Sequence, residues 1–344
     1  MALKVGVGLF TGQIPPGSAR TFHREYRDII ELTRLVEDEG LDAAWVSEHH
    51  FAEDGYLPSL LPMMAAMAAV TERIELGTGV VLAPFHDPLR LAEDFAVVDQ
   101  ISGGRTIAGF GIAWRDEEFR EFDIDVKSRV RRTSELVEVL RLAWNEERFD
   151  FHGKVFDYTG VAITPKPARV PPILLGGFVD DAIKRAGRLG DGYISSRAEV
   201  SRIEQAFEMA ARSRAAAGHD GPPIVAVLQN AYVTNEPDRD WPMVRDGIGH
   251  QLGTYAGWRA GTDVPGKKLE VAPPSEDDIR RTTAYGTPDD VVAYLESLTK
   301  VLSRYPEAHI VLRLHYPGMD GAPAADAIRL LASDVAPRLK EISG

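Results

Sequence analysis

The segment Glu48-His49-His50-Phe51 combines residue types that could do chemistry. Histidine is the side chain whose protonation changes near neutral pH, and here a carboxylate precedes a pair of them. The segment follows the apolar run Ala43-Ala44-Trp45-Val46, so we predict that it leaves a strand at its carboxyl end. Adjacent residues of an extended chain point to opposite faces, so we expect one histidine to face a cavity and the other to pack or cap. The alternative is an ordinary polar loop after a strand.

The elements that must position this segment alternate along almost the whole chain. Short apolar or β-branched runs bounded by Gly, Pro or charge predict strands over Lys4–Phe10, Ala43–Val46, Ile74–Leu82, Thr106–Ile112, Ile173–Leu175, Gly192–Ser195, Ile224–Val233 and His309–His315. Helix patterns cover Phe22–Glu39, Pro88–Ile101, Ser134–Trp144, Asp180–Leu189, Val200–Ala217, Pro288–Leu302 and Ala324–Ile342. This alternation favours an α/β fold, a (β/α)₈ TIM barrel, over a doubly wound sheet.

Two segments interrupt the alternation and predict insertions. Residues 145–172 contain two short aromatic runs that indicate a hairpin, followed by the stiff Pro165-Lys166-Pro167. Residues 236–286 are rich in Gly, Pro and charge, with aromatic residues between them. A loop of that length in a compact domain is usually a lid or a binding loop, or is disordered.

Composition excludes several classes of function. The 39 Lys and Arg against 52 Asp and Glu, a net charge of −13, argue against nucleic acid or an anionic membrane as partner. Because the chain has no cysteine, disulfides, thiolate metal sites and a cysteine nucleophile are excluded. No apolar run approaches the roughly 18 residues that span a bilayer, and the amino terminus reads as a strand rather than a signal peptide. We expect a cytoplasmic protein with one domain over 1–344 that acts on or binds a small molecule.

Three further motifs could contribute to a site. Glycines in Gly77-Thr78-Gly79-Val80 would let a planar ligand approach the backbone, or could mark a strand bulge. Asp87 to Arg105 reads mostly as helix capping and surface charge. Gly176-Gly177-Phe178-Val179 joins a strand to a helix whose amino-terminal N–H groups could bind an anion, although a plain turn would look the same.

Taken in order, these motifs resemble the bacterial luciferase-like flavin-dependent oxidoreductases over nearly the whole chain. The matching landmarks are Phe10 to Pro16, Trp45 to Phe51, Gly77 to Val80, Asp87 to Arg90 through Arg105, Gly109 to Trp114 with Glu118-Phe119, Arg129 and Glu135, Pro165 to Pro167, Gly176-Gly177, Gly190 to Tyr193 and Gly286 to Pro288. Each landmark alone is unspecific, and the ordered set is strong.

The resemblance implies a (β/α)₈ barrel with a flavin over its carboxyl-terminal mouth. In the monooxygenase branch, a separate reductase supplies reduced FMN, which reacts with O₂ to a C4a-hydroperoxide. That branch would oxygenate a small, mainly apolar substrate. Two alternatives are an oxidoreductase that transfers hydride with the deazaflavin F420, and a non-catalytic flavin-binding partner subunit. The family also suggests a homodimer.

The resemblance assigns roles residue by residue. His49 matches the catalytic histidine, and Glu48 matches a carboxylate near the flavin. Gly79-Val80 matches a non-proline cis peptide bond against which the flavin ring packs. Flavin-lining and phosphate-binding positions match Ile112, Trp114, Arg129, Gly176, Gly177, Phe178 and Val179.

The chain departs from the family pattern at the turn after Gly176-Gly177. At Glu48 to Phe51, its sequence distinguishes between two branches of the family. The turn after Gly176-Gly177 commonly carries a phosphate-binding Ser, where this chain has Phe178-Val179, so phosphate binding would rest on backbone N–H groups and Arg129. F420 enzymes typically have Asp-His after the second strand. The sequence Glu48-His49-His50-Phe51 therefore favours the FMN branch.

Other residues complete the hypothesis. Adjacent histidines at a strand end do not converge as zinc ligands do, so we expect no metal at His49, His50 and Glu53. Substrate choice is expected to depend on the Thr11–Thr21 loop and on the 236–286 lid. The substrate and lid residues are Thr11, His315, Trp241, Tyr255 and Trp258. Alternation along the last strand would place Arg313 and His315 on one face, and His86 and His250 are expected to be structural or lid residues.

Overall fold

Short apolar strands separated by helices close into a barrel in the computed structural model, which describes residues 2–196, 199–262 and 274–344. The strands are β1 (Ala2–Phe10), β2 (Ala43–Val46), β3 (Glu75–Thr78), β4 (Val81–Leu82), β5 (Thr106–Gly111), β6 (Phe149–His152), β7 (Asp157–Val161), β8 (Ile173–Gly176), β9 (Gly192–Ser196), β10 (Ile224–Val233), β11 (Thr283–Gly286) and β12 (Glu307–Arg313). The α-helices are α1 (Phe22–Asp38), α2 (Leu60–Ala69), α3 (Pro88–Ser102), α4 (Asp116–Glu121), α5 (Arg129–Asn145), α6 (Asp180–Leu189), α7 (Val200–Ala216), α8 (Pro237–Thr262), α9 (Glu276–Arg281), α10 (Pro288–Leu302), α11 (Gly321–Leu330) and α12 (Ala336–Ser343).

The barrel strands are all parallel, and the ring runs β1-β2-β3-β5-β8-β9-β10-β12. It closes where β12 pairs with β1, with Val5 opposite Ile310. The predicted (β/α)₈ barrel is therefore confirmed. Because the strands share one direction, all their carboxyl ends open at the same rim.

Two apolar layers form on the two faces of the barrel wall. Inward-facing side chains from the barrel strands, including Trp45, Ile107 and Val311, fill the interior. A larger layer lies between the strands and the helices. A Cβ on Gly77 would stand 2.4 Å from the Trp45 ring, so the glycine makes room for the tryptophan. The packed interior limits ligand space to the rim.

The structure differs from the sequence-based elements in several places. The strand predicted over Ile74–Leu82 is broken at Gly79-Val80 into β3 and β4, and β4 pairs with β5. Helix α2 was not predicted, because its residues are apolar all round and carry no amphipathic stripe. Helix α5 begins at Arg129 rather than Ser134, since its first turn is polar.

The two insertions differ from each other. The predicted hairpin is confirmed as antiparallel β6 and β7, and Glu135 holds it by accepting backbone N–H bonds from Lys154, Val155 and Phe156. The expected long loop over 236–286 is largely helical, so that expectation was wrong. Buried apolar residues of α8, among them Val244 and Ile248, stabilise a helix despite its glycines. Residues 263–273 of this insertion lie outside the described residues.

None of the helices among the described residues combines the length and the apolar composition that a membrane span requires.

Candidate functional site

A cavity of about 490 Å³ opens at the carboxyl-terminal rim of the barrel. Volumes of this size are typical of small-molecule and cofactor sites. Of the residues proposed from sequence, those on its wall are Glu48, His49, Gly79, Val80, Ile112, Trp114, Arg129, Gly176, Gly177, Phe178, Val179 and Tyr255. The structure therefore brings most of the proposed residues to one cavity.

His49 lies on the cavity wall just after β2 and is 4% exposed. Its Nδ1 is 2.9 Å from Oε1 of Glu118, a fully buried residue of α4. The same oxygen accepts the backbone N–H of His50 at 2.9 Å. A carboxylate against Nδ1 favours the tautomer with the proton on that nitrogen, which leaves Nε2 able to accept or deliver a proton.

Glu48 lies at the centre of a second network and is 1% exposed. Its Oε1 is 2.5 Å from Nε2 of His50 and 3.0 Å from Nε2 of His86, and its Oε2 accepts the backbone N–H of Leu82 at 3.4 Å. Burial would raise the pKa of Glu48, but His86 and His50 lower it to about 2. Burial would lower the pKa of His86, yet Glu48 keeps it above its ordinary value. His50 therefore supports Glu48, while His49 faces the cavity.

Four aromatic residues surround the His49 ring, and we call them the aromatic wall: Tyr56, Trp114, Tyr255 and Trp258. Their ring centroids lie 4.9, 6.1, 5.5 and 4.7 Å from that of His49. The hydroxyl groups of Tyr56 and Tyr255 are 3.1 Å apart. Helix α8 thus delivers two aromatic residues to the catalytic candidate across the barrel mouth.

The opposite face of the cavity is made of backbone and small residues. The Gly79–Val80 peptide bond is cis, as the resemblance implies, and a second non-proline cis bond joins Gly8 and Leu9. A Cβ on Gly79 would lie 2.8 Å from Cδ2 of Leu9, so only glycine leaves this surface flat. Such a surface can take a planar ring against the backbone.

A third part of the cavity carries positive charge. Arg129, at the start of α5, faces the turn from Gly176 to Val179 across the cavity wall. Val179 is the N-cap of α6, and no side chain caps that helix. Burial and then the neighbouring charges of Arg188 and Arg129 lower the pKa of Arg185, so cations are crowded here. An anion such as a phosphate would relieve this repulsion.

The remaining side holds three buried polar groups, which we call the Arg313 corner: Arg313, Asn230 and Gln251. Arg313 is the last residue of β12 and the register partner of Asn230 in β10, and Gln251 comes from α8. They are 4%, 3% and 3% exposed. Within the described part of the chain, Nη1 of Arg313, Nδ2 of Asn230 and Oε1 of Gln251 have no hydrogen-bond partner.

Four of the proposed substrate and lid residues are not on the cavity wall, although Trp258 contacts His49 just behind it. Thr11 is buried, and its carbonyl accepts the N–H of Leu57. Trp241 packs on Tyr285 and donates Nε1–H to Glu276.

Nε2 of His315 lies 3.1 Å from the carbonyl oxygen of Met319. Burial lowers the pKa of His315 to about 4. The alternation that would align His315 with Arg313 fails because β12 ends at Arg313.

Two groups of side chains bring possible metal ligands close together. Ligand atoms of Glu48, His50 and His86 lie within 4.8 Å of one another, as do those of a second group, Glu75, Glu307 and His309, at the other end of the barrel. The first group satisfies itself by hydrogen bonds. The second surrounds the Lys4 ammonium, 2.6 Å from Glu75. A cation at either place would have to displace these contacts.

Sequence reasoning missed the roles of Glu118 and of the Arg313 corner. Glu118 stands in an acidic run at a helix start, which looks like ordinary capping. Arg313 and Asn230 gave a usable signal, because each is a polar residue inside an otherwise apolar strand pattern. Gln251 gave none, since nothing in its neighbourhood predicts a helix crossing the barrel mouth.

With this geometry in place, the chain can be compared with known proteins. Residues 3–304 match the sequence model of the family described as luciferase-like monooxygenase. The chain belongs to that family. This confirms the resemblance inferred from the motifs, and oxidoreductase chemistry is what the family and its relatives share.

The relatives differ in the reaction that their names give. An F420-dependent glucose-6-phosphate dehydrogenase of Nocardia farcinica is 27% identical over 337 residues, covering 92% of this chain and 95% of its own. One from Amycolatopsis mediterranei is 32% identical over 179 residues, 49% of this chain and about half, 53%, of its own length. The crystal structure of the monooxygenase RslO1 from Streptomyces bottropensis superposes with a TM-score of 0.85 and 25% identity, over 98% of this chain and 99% of that one.

Proposed function

We propose that the protein is a flavin-dependent monooxygenase that uses reduced FMN and O₂ to oxygenate a small, mainly apolar substrate. Reduced FMN, when bound, supplies the two electrons, so one oxygen atom enters the substrate and the other leaves as water. The observation that carries the proposal is His49, held at Nδ1 by buried Glu118 and enclosed by the aromatic wall. A positioned acid–base group in a water-poor site is what oxygen transfer needs.

The cavity fits a flavin in three respects. The flat surface at Gly79-Val80 suits a planar ring, and Arg129 with the Gly176–Val179 turn suits a phosphate. The volume is also sufficient. In this arrangement Arg129 and the turn bind and orient the phosphate end, while His49 holds or moves a proton through Nε2.

Two observations favour FMN-dependent oxygenation over dehydrogenation of a sugar phosphate. The similarity to the monooxygenase RslO1 covers the whole chain. The wall around His49 is aromatic, with Trp114 and Tyr255 stacked at 6.2 Å. Ring faces beside the catalytic candidate suit a flat apolar substrate.

The second candidate is hydride transfer with F420, and a specific observation favours it: a relative named as an F420-dependent dehydrogenase matches over 92% of this chain. The same residues would serve. Arg129 would bind the phosphate of the deazaflavin, and His49 would take the proton of the substrate hydroxyl group as a hydride leaves the carbon that bears it.

One titration separates the candidates. The purified protein is titrated with oxidised FMN, reduced FMN and F420, and each complex is then given O₂ or glucose 6-phosphate. We expect binding of reduced FMN and O₂ consumption that requires it, with a reductase recycling the flavin. Reduction of F420 by glucose 6-phosphate without O₂ consumption would establish the second candidate. Binding of neither cofactor would reject both and leave a flavin-independent role.

A further inference from the structure

We propose that Arg313 and Asn230 form a subsite for an anionic oxygen group of the substrate, a carboxylate or enolate attached to a planar apolar body. The inference rests on the proposed function only in taking the rim cavity as the substrate site. It narrows the substrate class from mainly apolar to amphipathic, with one charged end.

Arg313 carries a buried positive charge at the cavity wall. Arginine stays protonated in proteins, and a charge buried without a partner is strongly unfavourable. Arg313 is 4% exposed, and within the described residues its Nη1 has no hydrogen-bond partner. Elsewhere in the barrel a buried arginine has carboxylate partners, as Arg20 has in Glu25 and Asp28. A buried guanidinium that lines a cavity, with its Nη1 unpartnered among the described residues, is therefore suited to an anion that arrives from outside.

Asn230 is the register partner of Arg313 on the adjacent parallel strand, and both line the cavity, so their donors face the same space. Nδ2 of Asn230 also lacks a partner in the part of the chain that is described. A guanidinium fork with an amide donor beside it matches the two oxygens of a carboxylate or the oxygens of an enolised dicarbonyl.

The residues that share the cavity with the Arg313 corner suit a flat ligand. The planar side chains of Trp114 and Tyr255 share the cavity with it, which suits a flat apolar body. Oε1 of Gln251, an acceptor without a partner among the described residues, could take a hydroxyl or amine hydrogen of the same ligand. The flavin phosphate has its own cations at Arg129, and β8 and β12 are three strands apart in the ring.

The test uses benzoate as the anionic probe and benzamide as its neutral counterpart, measured by calorimetry on the full-length protein without cofactor. We expect the wild type to bind benzoate at least about tenfold more tightly, the size of one charge-assisted hydrogen bond. Arg313→Met should abolish this preference, and Arg313→Lys should keep part of it. Arg131→Met, which removes a half-exposed arginine of α5, is the matched control and should change nothing.

A second variant protects the test against misfolding. Asn230→Asp keeps the shape of the side chain and gives Arg313 an internal counter-ion, so the melting temperature should hold or rise. Benzoate affinity should fall by at least about tenfold, because the anion would meet a neutralised guanidinium and a carboxylate. Unchanged benzoate affinity in this folded variant would overturn the proposal.

Two other outcomes would also overturn it. If Arg313→Met weakens reduced FMN and leaves benzoate unchanged, the corner recognises the flavin. If glucose 6-phosphate binds in an Arg313-dependent manner and benzoate does not, the proposed substrate class, an anionic group on a planar apolar body, is wrong. Calorimetry needs no turnover, so an enzyme that uses neither FMN nor F420 would refute the proposed function without affecting this result.

Discussion

The buried charged groups on the two sides of the cavity mouth differ in their hydrogen-bond partners. On the β2 side, each carboxylate is held through at least one oxygen: Glu48 accepts bonds from His50 and His86, and Oε1 of Glu118 accepts bonds from His49 and the backbone, while its Oε2 has no partner within the described residues. On the β10 and β12 side, Arg313 and Asn230 present donors without partners within the described residues. Both sides are equally buried, so solvent access does not explain the difference.

The difference separates groups that are positioned from groups that await a ligand. A carboxylate with several donors holds a neighbouring histidine in one orientation and tautomer, which is what a catalytic base requires. A buried donor without a partner destabilises the free protein and recovers that free energy when an anion binds. We therefore assign proton handling to the β2 side and ligand recognition to the other.

The largest expected effect tests the positioned side. His49→Ala should lower turnover about 10²- to 10⁴-fold with the fold intact, because a positioned acid–base group is lost. Turnover is measured with reduced FMN supplied by a reductase, and folding by thermal denaturation. A change of less than a few-fold would show that His49 does not handle the proton.

Two companion variants sharpen this result. His50→Asn should reduce turnover less than His49→Ala, because His50 contacts Glu48 rather than the cavity. Glu118→Gln should keep flavin binding and shift the pH profile of turnover, since Glu118 acts through Nδ1 of His49. Equal losses at His49 and His50 would contradict the division of roles.

The next effect concerns the phosphate end. Arg129→Ala should weaken FMN binding roughly 10- to 150-fold, the range for a charge-assisted hydrogen bond, and leave riboflavin binding unchanged because riboflavin has no phosphate. Arg131→Ala, two residues along α5 and half-exposed, is the control. A parallel loss for FMN and riboflavin would mean that Arg129 supports the ring or the fold instead.

The barrel and the β2 side were predictable because both depend on local pattern. Alternating apolar runs and helix stripes located all the barrel strands, and Glu48 to Phe51 follows a strand directly. The Arg313 corner was harder, since it joins two strands and a helix distant in sequence. The long 236–286 segment was misjudged because its glycines and Pro242 oppose helix formation, whereas burial of Val244 and Ile248 stabilises it.

A smaller effect tests the Glu48 network through stability. Glu48→Gln should lower the free energy of unfolding by about 1–3 kcal/mol, since hydrogen bonds to a buried charge are lost. The pKa of Glu48 is about 2 in the folded protein against an ordinary 4.5, so the charged carboxylate stabilises the fold above pH 4.5. This contribution is lost as the pH falls from 4.5 toward 2. The pKa of His86 is raised above its ordinary 6.5, so protonated His86 stabilises the fold below pH 6.5. This contribution is lost as the pH rises through the raised pKa. The difference from wild type should therefore peak between pH 4.5 and 6.5.

Denaturant unfolding at several pH values measures this difference. Wild type and Glu48→Gln are compared from acid to mildly alkaline solution, and Glu53→Gln, a carboxylate outside the network, is the control. A difference that stays constant with pH would mean that Glu48 contributes through packing and not through its charge.

The smallest effect distinguishes two tryptophans of α8. Trp258 packs 4.7 Å from the His49 ring, whereas Trp241 packs on Tyr285 and Arg280 away from the cavity. If α8 closes the site against water, Trp258→Leu should raise the yield of hydrogen peroxide per reduced FMN roughly two- to tenfold, matching the free energy of an aromatic pair. Trp241→Leu should lower the melting temperature and leave that yield unchanged. If both variants release peroxide equally, α8 affects coupling only through its overall stability, and the aromatic wall does not shield the reacting groups.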